Sequence, residues 1–324
     1  MGQTVKTLDD ETVVGIAASD LHFSHVPPVA RSAEKSWYRA QRRCLDQLRQ
    51  LKQEFNVPII YAGDITHTWH ERAELVNFLL EYMPEGYGIA GQHDLPNHVL
   101  SDIQRSVFWT LVKAGKIRYL EPGVPYPVER LILHGFSWNV PIVPCPTPPN
   151  DVCLNVALVH AFVWKAGHAY DGATEDKLVG KYADVLQGYD VAVFGDNHIG
   201  FTSKAKRDDG TVTSICNTGS FMRRNSDEVD YQPCIGLIKA DGSVTRKPLD
   251  CRRDKFIEKS VIDKTGGILL EAGLKEFVSE LQGDAKHGAV SIDFKEAVRR
   301  RLEMIHPEQD VEKLVLEMIG EDKR

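Results

Sequence analysis

Five apolar, strand-like runs in this chain of 324 residues break off in the same manner, into a carboxylate, an imidazole or both. Thr12–Ser19 ends in Asp20-Leu21-His22, Val57–Ala62 in Gly63-Asp64, and Tyr87–Ala90 in Gly91-Gln92-His93-Asp94. Val152–Val159 ends in His160, and Val191–Phe194 runs into Gly195-Asp196-Asn197-His198. Short runs of this kind, without polar alternation, read as strands buried on both faces, the habit of a parallel sheet. In α/β folds the chemistry gathers beyond the carboxyl ends of such strands. One Asp or His on one loop is an ordinary surface residue. Five endings alike call for a common cause.

The cause is legible in the side chains. Asp20 and His22 stand two apart, so on a strand they share a face with Cα atoms roughly 6–7 Å apart and can converge on one cation. Gly91 lets the backbone turn sharply where a side chain would obstruct it. The collected groups, Asp20, His22, Asp64, Gln92, His160, Asp196 and His198, offer oxygen and imidazole and no thiolate. That donor set fits manganese, iron, magnesium or zinc in a hydrolytic site rather than a structural zinc. His67 and His70 follow Asp64, and extra histidines beside a site are more often exposed or supporting than ligands.

Composition narrows the class. With 42% hydrophobic and 26% charged residues the chain reads as a soluble globular protein. A net charge of −7 gives no bulk attraction to nucleic acid, so a polyanion would need a local basic patch, metal ions or a partner. The six cysteines show no C-x-x-C spacing, which excludes zinc-ribbon and redox readings and favours reduced thiols in a cytoplasm. No stretch approaches the ~20 apolar residues of a membrane span. The expectation is a cytoplasmic protein.

Helical periodicity marks Arg31–Phe55, Glu71–Met83 and a third helix to about Ala114 with Ser101 as its cap. Ile117–Leu120, Leu131–Trp138, Thr211–Cys216 and Cys234–Ile238 read as further strands, and Val140–Asn150 as a proline-rich loop. Lys165–Thr174 reads as a surface connection near a site. From about residue 251 the texture turns helical and polar. The expected organisation is a domain over 1–250 and a small, mostly helical appendage over 251–324.

The ordered series D-x-H, G-D, G-x-H-D, H and G-x-x-H resembles the calcineurin-like metallophosphoesterases over roughly residues 13–240. Within that superfamily Asn217-Thr218-Gly219-Ser220, followed by Arg223, is most similar to the SbcD-type DNA repair nucleases, many of whose relatives are phage-encoded. The resemblance implies an α/β fold, a two-sheet sandwich flanked by helices, and two divalent ions, manganese in the nuclease branch. It implies a first ion held by Asp20, His22, Asp64 and His198, and a second that shares Asp64 and adds Gln92, His160 and Asp196. It gives His93 the task of steadying the phosphoryl oxygens or protonating the leaving alkoxide, with Asp94 holding its ring. Arg223 and Arg224 are the candidate substrate contacts. The chain departs from the family in having Gln92 where Asn is usual and Asp196 where a second His is usual, both at the second ion. The partners implied are DNA, a second copy of the chain through Leu75, Phe78, Leu79, Val107, Phe108 and Leu111, and an SbcC-like ATPase. A phosphodiesterase or phosphatase for small nucleotides, and a non-catalytic binding module, stay open beside the nuclease reading.

Overall fold

The computed structural model describes residues 9–148, 152–167, 173–208 and 210–257. The first compact unit ends at Phe256, and the helices expected beyond it lie outside the described residues. Twelve strands are present among the described residues: β1 (Val13–Ala18), β2 (Ile59–Ala62), β3 (Gly86–Ile89), β4 (Ile117–Tyr119), β5 (Tyr126–Val128) and β6 (Leu131–Phe136), then β7 (Leu154–His160), β8 (Val191–Gly195), β9 (Phe201–Lys206), β10 (Val212–Asn217), β11 (Cys234–Lys239) and β12 (Val244–Pro248). They form two six-stranded sheets, ordered β12-β11-β1-β2-β3-β4 and β5-β6-β7-β8-β10-β9.

β1 to β4 run parallel, as do β6, β7, β8 and β10. The antiparallel strands are confined to the flanks. The parallel strands carry the apolar runs because both their faces are covered. Val14, Ala17, Ile60, Ala62 and Ile89 of the first sheet meet Leu131, Leu133, Val156, Leu158, Val191 and Val193 of the second. Ile16, Ala18, Ile59 and Tyr61 face the opposite way, into a layer of helices α1 (Trp37–Phe55), α2 (Ala73–Tyr82) and α3 (Val107–Lys113). Among the described residues the outer face of the second sheet is covered without an α-helix, by Val163, Tyr182, Leu186 and Tyr189 from the connection between β7 and β8. The result is an α/β sandwich.

The helix limits differ from expectation at their starts. α1 begins at Trp37, where the Ser36 hydroxyl accepts from the Arg39 N–H at 3.4 Å. The third helix is capped by Ser106, which accepts from the Trp109 N–H at 3.2 Å, while Ser101 lies in a preceding 3-10 turn. No helix among the described residues is long and apolar enough to cross a membrane.

The apolar residues expected to join two copies pack within this chain. Leu75, Phe78, Leu79, Phe108 and Leu111 are buried in the core between the helices and the first sheet, and Val107 is buried as well. An amphipathic stripe shows only that a face needs covering, and the molecule's own sheet covers this one. Leu79→Ala should therefore cost about 2–5 kcal/mol in urea unfolding, independent of protein concentration. A loss under about 1 kcal/mol that grows on dilution would return Leu79 to an interface.

Candidate metal centre

The carboxyl ends of β1, β2, β3, β7 and β8 meet along one rim of the sandwich, and each delivers its ligand candidates at the end of the strand or a few residues beyond it. The chain is turned there by left-handed residues: Asp20 (φ 52°), His22 (46°), Asp64 (51°) and Asp196 (87°). Non-glycine residues seldom take this conformation, and a cluster of them marks a site where surrounding contacts enforce it. The contacts are visible. The N–H groups of Leu21 and His22 both donate to the Asp64 carbonyl at 2.9 Å, and the Asp196 N–H donates to the Asp20 carboxylate at 2.9 Å. The two sheets are thus joined at the site itself.

His160 sits in a cradle of backbone. A Cβ on Gly63 would lie 2.2 Å from its Nδ1, one on Gly91 2.6 Å from its Nε2 and 2.1 Å from Asp64 Oδ1. No other residue fits either position. The ring is oriented by the Ala62 carbonyl, 2.7 Å from Nδ1, which leaves Nε2 aimed at Asp64 Oδ2 (3.4 Å) and Gln92 Oε1 (2.7 Å). On the other side His22 Nε2 lies 3.6 Å from Asp64 Oδ2 and 3.1 Å from His198 Nε2, and His198 Nε2 is 4.0 Å from Asp20 Oδ1.

Ligand atoms of Asp20, His22 and His198 fall within 4.8 Å of one another, as do those of Asp20, Asp64 and His160. Asp20 Oδ2 and Asp64 Oδ2 are buried and have no hydrogen-bond partner among the described residues. An ionised carboxylate oxygen in that state is unstable unless a cation meets it. The donor chemistry and the unpartnered oxygens both fit divalent metal.

The titration pattern has the same origin. Burial raises Asp20 above its ordinary range and pushes His22 well below its own. Burial acts against ionised Asp64 too, but His160, His22 and His93 outweigh it and hold Asp64 down. His160, despite burial, is raised to about 10 by Asp64, Asp20 and Asp196. In the ion-free protein a proton on His160 compensates the carboxylates, and metal must displace it.

Gln92 and Asp196 come together, the Gln92 amide donating to Asp196 Oδ1 at 2.6 Å. His160, Gln92 and Asp196 form a continuous chain of contacts at the second-ion position.

Three expected roles change. Asp94 does not hold the His93 ring. Its carboxylate accepts from the N–H groups of Gly91 (3.0 Å), Ile65 (3.2 Å) and Thr66 (3.1 Å) and from the Thr66 hydroxyl (3.3 Å). It staples the loop after β3 to the loop after β2, and burial with the charge of Asp64 raises it to about 7. The His93 ring is held instead by the His67 carbonyl, 2.7 Å from Nδ1, and stacks on the His67 ring at 5.5 Å.

Arg223 and Arg224 do not face the mouth of the site. Arg223 is bound to Asp254 (3.2 Å) and to the carbonyls of Cys251 (2.6 Å) and Val229. Arg224 is buried against the His22 carbonyl and Ser24. Both guanidinium groups are satisfied inside the protein and so unavailable to substrate.

Sequence reading placed Asn217 only in a motif, and the structure gives it work. Its amide donates to the carbonyls of Asn197 (2.6 Å) and Ile199 (3.1 Å), bracing the loop that carries His198.

Asp94→Ala should destabilise the protein by at least about 3 kcal/mol in denaturant unfolding, since it strips several buried donors of their acceptor. A variant of wild-type stability with slower turnover alone would restore the ring-holding role.

No family model and no curated protein matches this sequence. Similar solved structures include the 5′-nucleotidase precursor from Thermus thermophilus, at 17% identity and TM-score 0.42, over 73% of this chain and 53% of that one. The calcineurin-like phosphoesterase YfkN from Bacillus subtilis is 13% identical with TM-score 0.44, over 81% of this chain and 99% of that one. The NAD nucleotidase NadN from Haemophilus influenzae is 13% identical with TM-score 0.37, over 75% of this chain and 59% of that one. This chain therefore spans 53% of the Thermus protein and 59% of NadN.

Proposed function

We propose that this chain is a metal-dependent phosphodiesterase that cleaves DNA in the manner of the SbcD-type nucleases its motifs resemble. The observation that carries the hydrolytic reading is the pair of buried, unpartnered oxygens, Asp20 Oδ2 and Asp64 Oδ2, with His22 and His160 imidazoles beside Asp64. Asp20, His22, Asp64 and His198 would hold one divalent ion; Asp64, Gln92, His160 and Asp196 a second. When bound, such ions polarise a phosphoryl oxygen and activate water for attack at phosphorus. Manganese is the metal we favour, on the motif resemblance.

The chain's own groups do the rest. Asp64 is central to both ligand sets, and its Oδ1 accepts from the His93 N–H at 2.9 Å, which ties the His93 backbone to the site. His93 Nδ1 is engaged by the His67 carbonyl, so Nε2 is left to meet a phosphoryl oxygen or hand a proton to the leaving alkoxide. The rim is open, with His67 and His98 exposed and the His198 side chain 41% exposed, which suits a polymer better than an enclosed small molecule. DNA affinity does not come from Arg223 or Arg224. In an acidic chain it would come from the ions, from a partner such as an SbcC-like ATPase, or from a second copy.

With manganese the protein should hydrolyse single-stranded DNA and bis(p-nitrophenyl) phosphate, with no turnover in chelator, and Asp64→Asn should retain less than a tenth of the rate. Turnover of p-nitrophenyl phosphate or nucleotides alone would move the assignment to the small-nucleotide alternative. Activity that survives the chelator would end the metal reading.

The direct Gln92–Asp196 bond supports a second reading, a site that works with one firmly held ion. Under the two-ion reading the residues compensate each other, and Gln92→Asn and Asp196→His should each lose activity while the double variant loses less than their sum. Additive losses, with metal stoichiometry unchanged in Asp196→His, would favour the single ion.

A further inference from the structure

Arg224 brings a charge to within one residue's reach of the metal centre at 7% exposure, and the mechanism above gives it no task. Its guanidinium donates to the His22 carbonyl and to the Ser24 hydroxyl, the latter at 3.2 Å. Its own backbone is pinned by Glu228, which accepts from the N–H groups of Arg224 (2.6 Å) and Asn225 (2.7 Å) and from the Ser220 hydroxyl (2.9 Å). Ser24 is fixed from the other side, since its N–H donates to Gln41 Oε1 at 2.8 Å and its hydroxyl accepts from Trp37 Nε1 at 3.1 Å.

His22 differs from its neighbours in how its ring is aimed. His160 and His93 each engage a carbonyl through Nδ1, the usual means of orienting a ligating or reacting imidazole. His22 Nδ1 is buried with no partner among the described residues. Apart from edge-to-face contacts with the rings of His67, His93 and His198, its direction depends on the main chain, which is left-handed at His22 itself (φ 46°). The N–H of His22 is held by the Asp64 carbonyl, and its carbonyl by Arg224.

We propose that Arg224 is the positioning residue for the His22 ligand: by gripping the His22 carbonyl it fixes the left-handed turn and so aims an imidazole whose Nδ1 no described residue holds. The inference rests on the metal reading above. Lysine offers a point charge on a flexible stem in place of a planar fork, so it should grip one acceptor and restore part of the effect.

The test is manganese titration of the full-length protein by calorimetry, beside thermal melting of the metal-free form, for wild type, His22→Ala, Arg224→Met and Arg224→Lys. Loss of an orienting group ordinarily weakens metal affinity about 10–100-fold. Arg224→Met should weaken by about that factor the same ion that His22→Ala removes, leave any other ion as in wild type, and be partly rescued by Arg224→Lys. Wild-type affinity in both Arg224 variants would overturn the positioning role alone. So would weakening of every ion in step with a fall in melting temperature, the mark of a merely structural cation. Should Arg224→Met fail to fold, Arg224→Lys decides: a loss of about 2–10-fold at the His22 ion supports the role, and none overturns it. A wild-type protein that binds no manganese would overturn the metal reading and this inference with it.

Discussion

Two carboxylates shut away from water govern this structure. Asp64 is 0% exposed and Asp20 1%, and each keeps one oxygen with no hydrogen-bond donor among the described residues. The effective penalty for burying an ion is several kcal/mol even after relaxation, so the fold must supply positive charge where the oxygens point. Imidazoles stand at four strand ends near them, on His22, His93, His160 and His198, and it is His160 that is raised toward its charged form while burial lowers His22. The raised His160 is the ion-free form of that charge, one proton standing among three carboxylates. A proton is a small charge at a single nitrogen. A divalent ion meets the same oxygens with more charge and without needing a covalent address.

The geometry needed for that convergence is unfavourable locally. Each left-handed residue costs roughly 1–2 kcal/mol, and four of them lie in ligand positions. The sandwich tolerates them because the loops that carry them are tied to one another. The Asp64 carbonyl takes two N–H groups from the β1 loop, and Asp20 takes the N–H of Asp196 from the other sheet. Site and inter-sheet seam are therefore the same set of contacts. Strain at the ligands is distributed over the junction of two sheets whose apolar faces are already packed together.

The strands dictated by burial were legible in the sequence, and what depends on distant partners was not. Three strands escaped it, β5, β9 and β12, and all are sheet edges. Their sequences, Tyr126-Pro127-Val128, Phe201–Lys206 and Val244–Pro248, mix polar residues and proline with few apolar ones, because an edge has one open side. The fourth edge, β4, was found because Ile117 is buried and Leu120 closes the run. The ligand candidates were visible because each follows its strand within a few residues. Asp94 and Arg224 were misread because their partners lie as far as 29 and 202 residues away, and short-range spacing cannot tell a group that faces substrate from one that faces the protein's own backbone. The apolar faces of α2 and α3 were read as apolar, and the chain's own core covers them.

The two candidate ion positions are built on different principles. The first is defined mostly by main chain, through turns at Asp20 and His22 and a clamp on the Asp64 carbonyl, with the Asn217 side-chain amide bracing the His198 loop. The second is defined by side chains that satisfy one another, His160 to Gln92 to Asp196. A main-chain brace survives most point substitutions, whereas exchange of one side chain in a chain of contacts frees its neighbours. His160, Asp64 and Asp20 also seal the inner wall, so substrate must approach from the His198, His67 and His98 side. The groups that greet it there are imidazoles, because Arg223 and Arg224 are turned inward to hold the loops.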